Sequence, residues 1–164
     1  MTQYHNIPPV YDKNSRILIL GSFPSVKSRE AQFFYGHPQN RFWKVLSAVL
    51  GCDCPVTTEE KKAMLLRHNI AVWDVIGSCE ITGSSDASIR SVIPNDIASL
   101  VMKTSIKAIF ANGATSYNMY KRYCCDAVGL EAVKLPSTSP ANASYSLERL
   151  TEEWSSQLLS VLSE

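Results

Sequence analysis

Four short apolar runs, separated by stretches with helical spacing, most strongly constrain how this chain of 164 residues can fold. They cover residues 17–20, 70–73, 106–110 and 130–135. Each is nearly continuous in hydrophobicity, which is typical of parallel strands that are covered on both faces. Strand and helix patterns alternate, so we predict one α/β domain over residues 1–164, a three-layer α/β/α arrangement with a central four-stranded, mainly parallel sheet.

Helix-start signals precede five stretches outside these runs. We predict helices over residues 40–50, 57–67, 95–102, 115–123 and 146–162. Polar residues that can cap these helices stand at or near four of the five starts: Thr57, Asn95 or Asp96, Thr115 or Ser116, and Ser146.

Composition limits the classes of function. The chain is 45% hydrophobic and 19% charged, as in soluble globular proteins, and no apolar run is long enough to cross a bilayer. The first residues lack the pattern of a signal peptide, so we expect a cytoplasmic protein that does not contact membranes. The spacings of the five cysteines fit no common metal site, and there are only three histidines, so we expect no metal and no cofactor.

Small, polar, turn-forming residues follow all four runs. The segments after them are Gly21-Ser-Phe-Pro-Ser25, Asp74-Val-Ile-Gly-Ser78, Ala111-Asn-Gly-Ala-Thr115 and Pro136-Ser-Thr-Ser-Pro140. Ligands of parallel sheets bind beyond the carboxyl ends of the strands, so these four segments predict one shared cleft.

The stretch FFYGHPQNRFWKVL, residues 33–46, places an aromatic-rich bend close to that cleft. Gly36 and Pro38 fix the bend around His37, and Asn40 stands where a helix begins. The Asn40 amide can cap that helix, or it can face the cleft and hold a water molecule or the edge of a base. His37 is open to a structural or a functional interpretation.

Three blocks in this order resemble the uracil-DNA glycosylase superfamily: GSFPS, YGHPQNRFWKVL and LPSTSPANA. The middle block is similar to the mismatch-specific uracil/thymine glycosylases. In that branch an asparagine of the first motif positions the attacking water, and Phe23 stands in its place here. Leu135 likewise replaces the asparagine of the second motif. The first and last blocks instead resemble the hypoxanthine-DNA glycosylase branch, in which the asparagine of the middle block is catalytic.

This resemblance implies a role for each matching residue. Asn40 is the expected catalytic residue, which orients water or bonds the base, and Tyr35 is the expected platform on which a flipped base stacks. The remaining residues expected at the base are Gly21, Ser22, Phe23 and Asp86, although Asp86 can equally begin a solvent-facing helix. The loop 136–142 is expected to enter the minor groove, and the residues expected at DNA are Ser25, His37, Ser137, Thr138, Ser139 and Asn142.

The function implied is excision of a deaminated base from DNA, with hypoxanthine (deoxyinosine) first and uracil second. No lysine in the motifs is placed as a Schiff-base nucleophile, so we expect a monofunctional glycosylase that acts as a monomer. Two alternatives remain open: a module that binds damaged DNA without cleavage, and a small α/β enzyme or nucleotide binder with another substrate. A net charge of +1 gives no global basic field, but it does not exclude a nucleic-acid partner, because a small footprint on a few phosphates needs only a handful of local cations.

Overall fold

Residues 2–163, described by a computed structural model, form seven strands, seven α-helices and one short 3₁₀ helix. The strands are β1 Thr2–Tyr4, β2 Ile17–Gly21, β3 Ile70–Asp74, β4 Ile76–Glu80, β5 Arg90–Pro94, β6 Ala108–Asn112 and β7 Ala132–Leu135. The α-helices are α1 Val26–Ala31, α2 Phe42–Leu50, α3 Thr58–Arg67, α4 Ile97–Met102, α5 Ala114–Tyr123, α6 Cys125–Val128 and α7 Leu147–Leu162. The 3₁₀ helix is Asp86–Ser88.

The four apolar runs form one parallel sheet in the order β3-β2-β6-β7, which confirms the predicted sheet. Gly21 pairs with Asp74 at the ends of β2 and β3, and Asn112 pairs with Leu135 at the ends of β6 and β7. These four residues therefore lie along one edge of the sheet, where the strands end and ligands of parallel sheets bind.

Both faces of this sheet are covered, because successive side chains of β2 enter opposite cores. Ile17 and Ile19 belong to one core, which contains large aromatics such as Phe42 and Trp154 from α2 and α7. Leu18 and Leu20 belong to the other core, with residues of α4 and α5. The layers are helix, sheet and helix, as predicted.

A second, antiparallel sheet in the order β1-β4-β5 was not predicted. The sequence predicts only a turn over residues 74–78, yet β4 begins at Ile76, and Val75 alone separates it from the end of β3 at Asp74. The N-terminal segment joins this sheet because β1 pairs with β4, and the His5 N–H donates to the Gly77 carbonyl (2.8 Å). This pairing carries His5 towards the end of β3.

Side-chain caps explain most of the helix starts. Thr57, Asp96 and Ser146 accept hydrogen bonds from the first turns of α3, α4 and α7, as predicted. The predicted cap of α5 was wrong, because this helix begins after Gly113 without a side-chain cap. The short helices α1 and α6 were also not predicted. Within residues 2–163 we find no helix with the length and hydrophobicity needed to cross a membrane.

Candidate active site

A cleft opens at the carboxyl edge of the parallel sheet. Ten of the predicted site residues line it: Gly21, Ser22, Phe23, Ser25, Tyr35, Asn40, Asp86, Ser137, Thr138 and Ser139. Pro24, Ser28, Phe34, Asp74 and Asn112 complete the lining. A groove adjoins the cleft, and Asn142 lines that groove rather than the cleft itself. The structure therefore brings most of the predicted residues together in one place.

Asn40 precedes Arg41, the N-cap residue of α2, and its side chain bonds the first N–H group of that helix while it also faces the cleft. The structural and the functional interpretations of this residue are therefore compatible. Its Oδ1 accepts hydrogen bonds from the Phe42 N–H (3.0 Å) and from the Thr138 hydroxyl (2.8 Å). A backbone N–H can only donate, which identifies the bonded atom as the amide oxygen. Both lone pairs of that oxygen are occupied. The Nδ2 group has no partner within residues 2–163, so Asn40 presents a hydrogen-bond donor to the cleft.

Thr138 holds Asn40 in this orientation. Its side chain is fully buried, and its Oγ1 accepts a hydrogen bond from Asn112 Nδ2 (3.0 Å) while it donates to Asn40. The Thr138 N–H donates to Asn112 Oδ1 (3.0 Å), which fixes the Asn112 amide as well. The expected DNA contact of Thr138 is therefore replaced by an internal supporting role, since its side chain does not reach the surface.

Arg41 anchors the loop that was expected to enter the minor groove. Its guanidinium donates to the backbone carbonyls of Ser139 (3.3 Å), Asn142 (3.0 Å) and Tyr145. The Asn142 side chain bonds the Ser137 carbonyl (3.0 Å), so it too points into the loop. Arg41 could not be predicted from the sequence, because one cation beside Asn40 gives no sign of partners about a hundred residues away.

Tyr35 stacks on Phe42, with ring centroids 3.9 Å apart and planes 12° apart. Its backbone is in the left-handed region (φ 52°), which turns the ring from the bend towards the cleft. The hydroxyl is buried and has no hydrogen-bond partner within residues 2–163. Burial and, secondarily, the charge of Asp74 raise the pKa of this hydroxyl, so it stays protonated.

Asp74 is a buried carboxylate in the cleft wall, and the sequence analysis did not select it. Its Oδ2 lies 2.8 Å from His5 Nε2. His5 Nδ1 accepts from the Ile7 N–H (3.3 Å), so the proton of the imidazole is on Nε2 and is donated to the carboxylate. A β-carbon at position 21 would lie 2.4 Å from Asp74 Oδ1, so only glycine at that position leaves room for this carboxylate. The available signal was a charged residue ending an apolar strand, in IAVWD.

The exposed rim of the cleft carries a second carboxylate, Asp86, which begins the 3₁₀ helix. Its Oδ1 accepts from the Ser22 hydroxyl (3.2 Å). Although the residue is exposed overall, its carboxyl lies against the cleft, where loss of hydration and the charge of Asp74 raise its pKa. Phe23 forms the neighbouring wall, with the Arg29 guanidinium 5.4 Å from its ring centre.

Two predicted DNA contacts have local structural roles. Ser25 accepts a hydrogen bond from the Ser28 N–H (3.1 Å) and so caps α1. His37 accepts from the Gln39 N–H (3.1 Å) within the bend and does not line the cleft. Neither arrangement prevents contact with DNA at the surface, and that role stays a prediction for both residues.

Comparison with known proteins identifies the family. The family model described as the uracil DNA glycosylase superfamily matches residues 8–162. The chain belongs to this superfamily. A protein named hypoxanthine DNA glycosylase from Methanosarcina acetivorans is 38% identical over 149 residues, which cover 88% of this chain and 92% of that protein. A second protein of that name, from Methanosarcina barkeri, is 35% identical over 139 residues, covering 82% and 85% of the two chains.

A solved structure supports the membership in the uracil DNA glycosylase superfamily. The solution NMR structure of a candidate uracil DNA glycosylase from Methanosarcina acetivorans superimposes with a TM-score of 0.83 at 32% identity, and the match covers 100% of both chains. Within residues 2–163 of this superfamily member, no group of three or more histidine, cysteine, aspartate or glutamate residues could hold a metal ion. Independence from metals and cofactors remains a prediction.

Proposed function

We propose that this protein is a monofunctional, monomeric DNA glycosylase that hydrolyses the N-glycosidic bond of a deaminated base in DNA, with hypoxanthine as the preferred base. The observation that carries the proposal is the Asn40 amide, whose oxygen is fully bonded while its N–H group faces the cleft. Family membership and the two relatives named hypoxanthine DNA glycosylase support the reaction class and the substrate.

Base capture depends on Tyr35 and on the anchored loop. A base inside a duplex must leave the stack before a glycosylase can reach it, at a cost of a few kcal/mol that is least for a mispaired base such as hypoxanthine. Phe42 covers one face of the Tyr35 ring, so a flipped base can stack only on the other face, for roughly 1–3 kcal/mol. The loop 136–142, held by Arg41, fills the gap in the duplex.

Bond cleavage develops negative charge on the departing base and positive charge on the sugar. The Asn40 N–H donates to the base and stabilises the charge that forms there, as backbone amides after Gly21 also do. The carboxylate of Asp86 lies at the rim of the cleft, and it orients the attacking water. Because Phe23 cannot hold water, this role passes to Asp86.

No lysine lines the cleft in the described part of the chain, so hydrolysis leaves an abasic site without strand cleavage by the enzyme. Labelled duplexes that carry inosine, uracil or xanthine, incubated with the protein and then treated with alkali, test the proposal. We expect scission, with inosine cut fastest, and scission slowed by ~10²-fold or more with Asn40→Ala. A mobility shift without scission would instead indicate a damage-binding module. Neither signal would indicate an unrelated substrate.

A further inference from the structure

The buried pair His5 and Asp74 has no part in the hydrolysis described above, although Asp74 lines the cleft. The side chains are 1% and 5% exposed, respectively. One carboxylate oxygen, Oδ2, is occupied by the imidazole N–H of His5 at 2.8 Å. The other oxygen, Oδ1, lies against Gly21 in the cleft wall and accepts no hydrogen bond from any group within residues 2–163. Because Oδ2 already accepts from the imidazole, Oδ1 is the oxygen through which Asp74 offers the cleft a hydrogen-bond acceptor.

Asn40 offers the opposite polarity to the same cleft. Its oxygen is committed to Phe42 and Thr138, and its Nδ2 donors are free. Neither side chain can exchange its donor and acceptor positions without losing a hydrogen bond. His5 fixes the orientation of the Asp74 carboxylate, and the Phe42 N–H fixes that of the Asn40 amide. The cleft therefore holds a fixed donor at Asn40 Nδ2 and a fixed acceptor at Asp74 Oδ1, and neither atom has a hydrogen-bond partner within residues 2–163.

Deamination exchanges the donors and acceptors on the edge of a base. Adenine and cytosine present an amino donor beside a ring nitrogen that accepts. After deamination, hypoxanthine and uracil present a carbonyl acceptor beside a ring N–H that donates. This lactam edge is complementary to one donor and one adjacent acceptor, whereas the edge of the undamaged base opposes both.

We propose that Asp74, positioned by His5, accepts a hydrogen bond from the ring N–H of the flipped base while Asn40 donates to the adjacent carbonyl. The inference rests on the proposed function. In it, the cleft recognises the lactam edge through two hydrogen bonds, one from Asn40 and one to Asp74, and we call this pair of residues the reader. Adenine would place its N1 lone pair against the Asp74 carboxylate and its amino group against the Asn40 N–H, leaving buried polar groups unpaired. Guanine shares the lactam edge, so its exclusion depends on the higher cost of flipping a correctly paired base.

Binding of uncleavable nucleotides tests this reader separately from catalysis. Duplexes carry 2′-fluoroarabino inosine or 2′-fluoroarabino adenosine opposite an abasic-site analogue, so that no base pair has to be broken in either case. We expect the wild-type protein to bind the inosine duplex ~10–100-fold more tightly, the range for a hydrogen bond to a charged group. In Asp74→Asn, the amide oxygen accepts from His5 and the NH₂ faces the ring N–H, so the preference should disappear.

Two further comparisons keep the test informative if Asp74→Asn folds poorly. His5→Gln retains an N–H donor and should keep the preference, whereas His5→Leu should reduce it, a difference that a merely structural role of His5 would not produce. A wild-type measurement with the unsubstituted purine analogue, which lacks both the carbonyl and the ring N–H, should give binding as weak as adenosine. Asp53→Asn, the same change at an exposed residue outside the cleft, should alter nothing.

The outcomes separate the reader from the glycosylase. Equal wild-type binding of inosine and adenosine, or full retention of the preference in Asp74→Asn, would overturn the reader even if hypoxanthine is excised. A preference that depends on Asp74 without excision of any base would support the reader and overturn the glycosylase.

Discussion

Replacing Asn40 with aspartate removes the free N–H donor and leaves the rest of the site in place. One carboxylate oxygen can still accept from the Phe42 N–H and the Thr138 hydroxyl, as the amide oxygen does now. The second oxygen then faces the cleft as an acceptor, together with the carboxylates of Asp74 and Asp86. If donation to the base is the main role of Asn40, Asn40→Asp should lower the single-turnover rate of hypoxanthine excision by ~10²–10³-fold.

Asn40→Ala should be equally inactive but less stable. It loses the hydrogen bond to the Phe42 N–H at the start of α2, worth about 1 kcal/mol, and leaves the hydroxyl of the fully buried Thr138 without its acceptor, for about 1–2 kcal/mol more. A loss of roughly 2–3 kcal/mol corresponds to a fall in Tm of ~4–12 °C for a chain of this size. Asn40→Asp should show a clearly smaller fall, because the hydrogen bonds to the Phe42 N–H and the Thr138 hydroxyl remain.

Excision measured under single-turnover conditions, with thermal unfolding of each variant, checks both expectations. Thr138→Val is the matched control, since it removes the support of Asn40 and leaves its N–H in the chain. That variant should lose stability and only part of its excision rate. If Asn40→Asp kept the wild-type rate within about threefold, against the ~10²-fold loss expected for a missing donor, the amide would act by positioning water.

Three further predictions follow from the cleft. Gly21→Ala should lower both excision and Tm, since its β-carbon would lie 2.4 Å from Asp74 Oδ1, and a retained Tm with normal excision would contradict this. Asp86→Asn should reduce excision yet raise Tm at pH 7: a raised pKa means that the folded state holds the proton more tightly, so stability is lost as the pH rises through that pKa. The gain in Tm should therefore vanish below pH 3.8, the ordinary carboxyl pKa, and a gain that persists there would disprove it. Tyr35→Phe removes a buried hydroxyl that has no hydrogen-bond partner within residues 2–163, so Tm should stay constant or rise and excision should change little. Tyr35→Ala should instead weaken binding of inosine duplexes.

The parallel sheet could be predicted because its strands are buried on both faces and leave continuous apolar runs in the sequence. The antiparallel sheet could not be predicted. Its strand β1 has only three residues, and these residues are extended because they pair with β4, not because of their own composition. The position of the cleft followed from the parallel topology alone, since all four strand ends lie at one edge.

The contacts inside the cleft lay beyond sequence reasoning for a related reason. Asn40 and Thr138 are 98 residues apart, and His5 and Asp74 are 69 apart, so no local spacing links either pair. Asp74 was visible as the last residue of a strand, but a carboxylate in that position is equally typical of a turn. Only the fold shows that it is buried beside Gly21 and held by an imidazole.

The three carbonyl bonds of Arg41 limit how this protein can be re-engineered. Arg41 follows Asn40 directly, and its guanidinium holds the loop at Ser139, Asn142 and Tyr145. A longer loop can grow at the exposed Pro140 and Ala141 tip without moving these anchors. A deletion between Ser139 and Tyr145 would displace Arg41 and therefore the side-chain amide of Asn40 next to it. Libraries that vary DNA preference should therefore diversify the tip of the loop and should not shorten the segment 139–145.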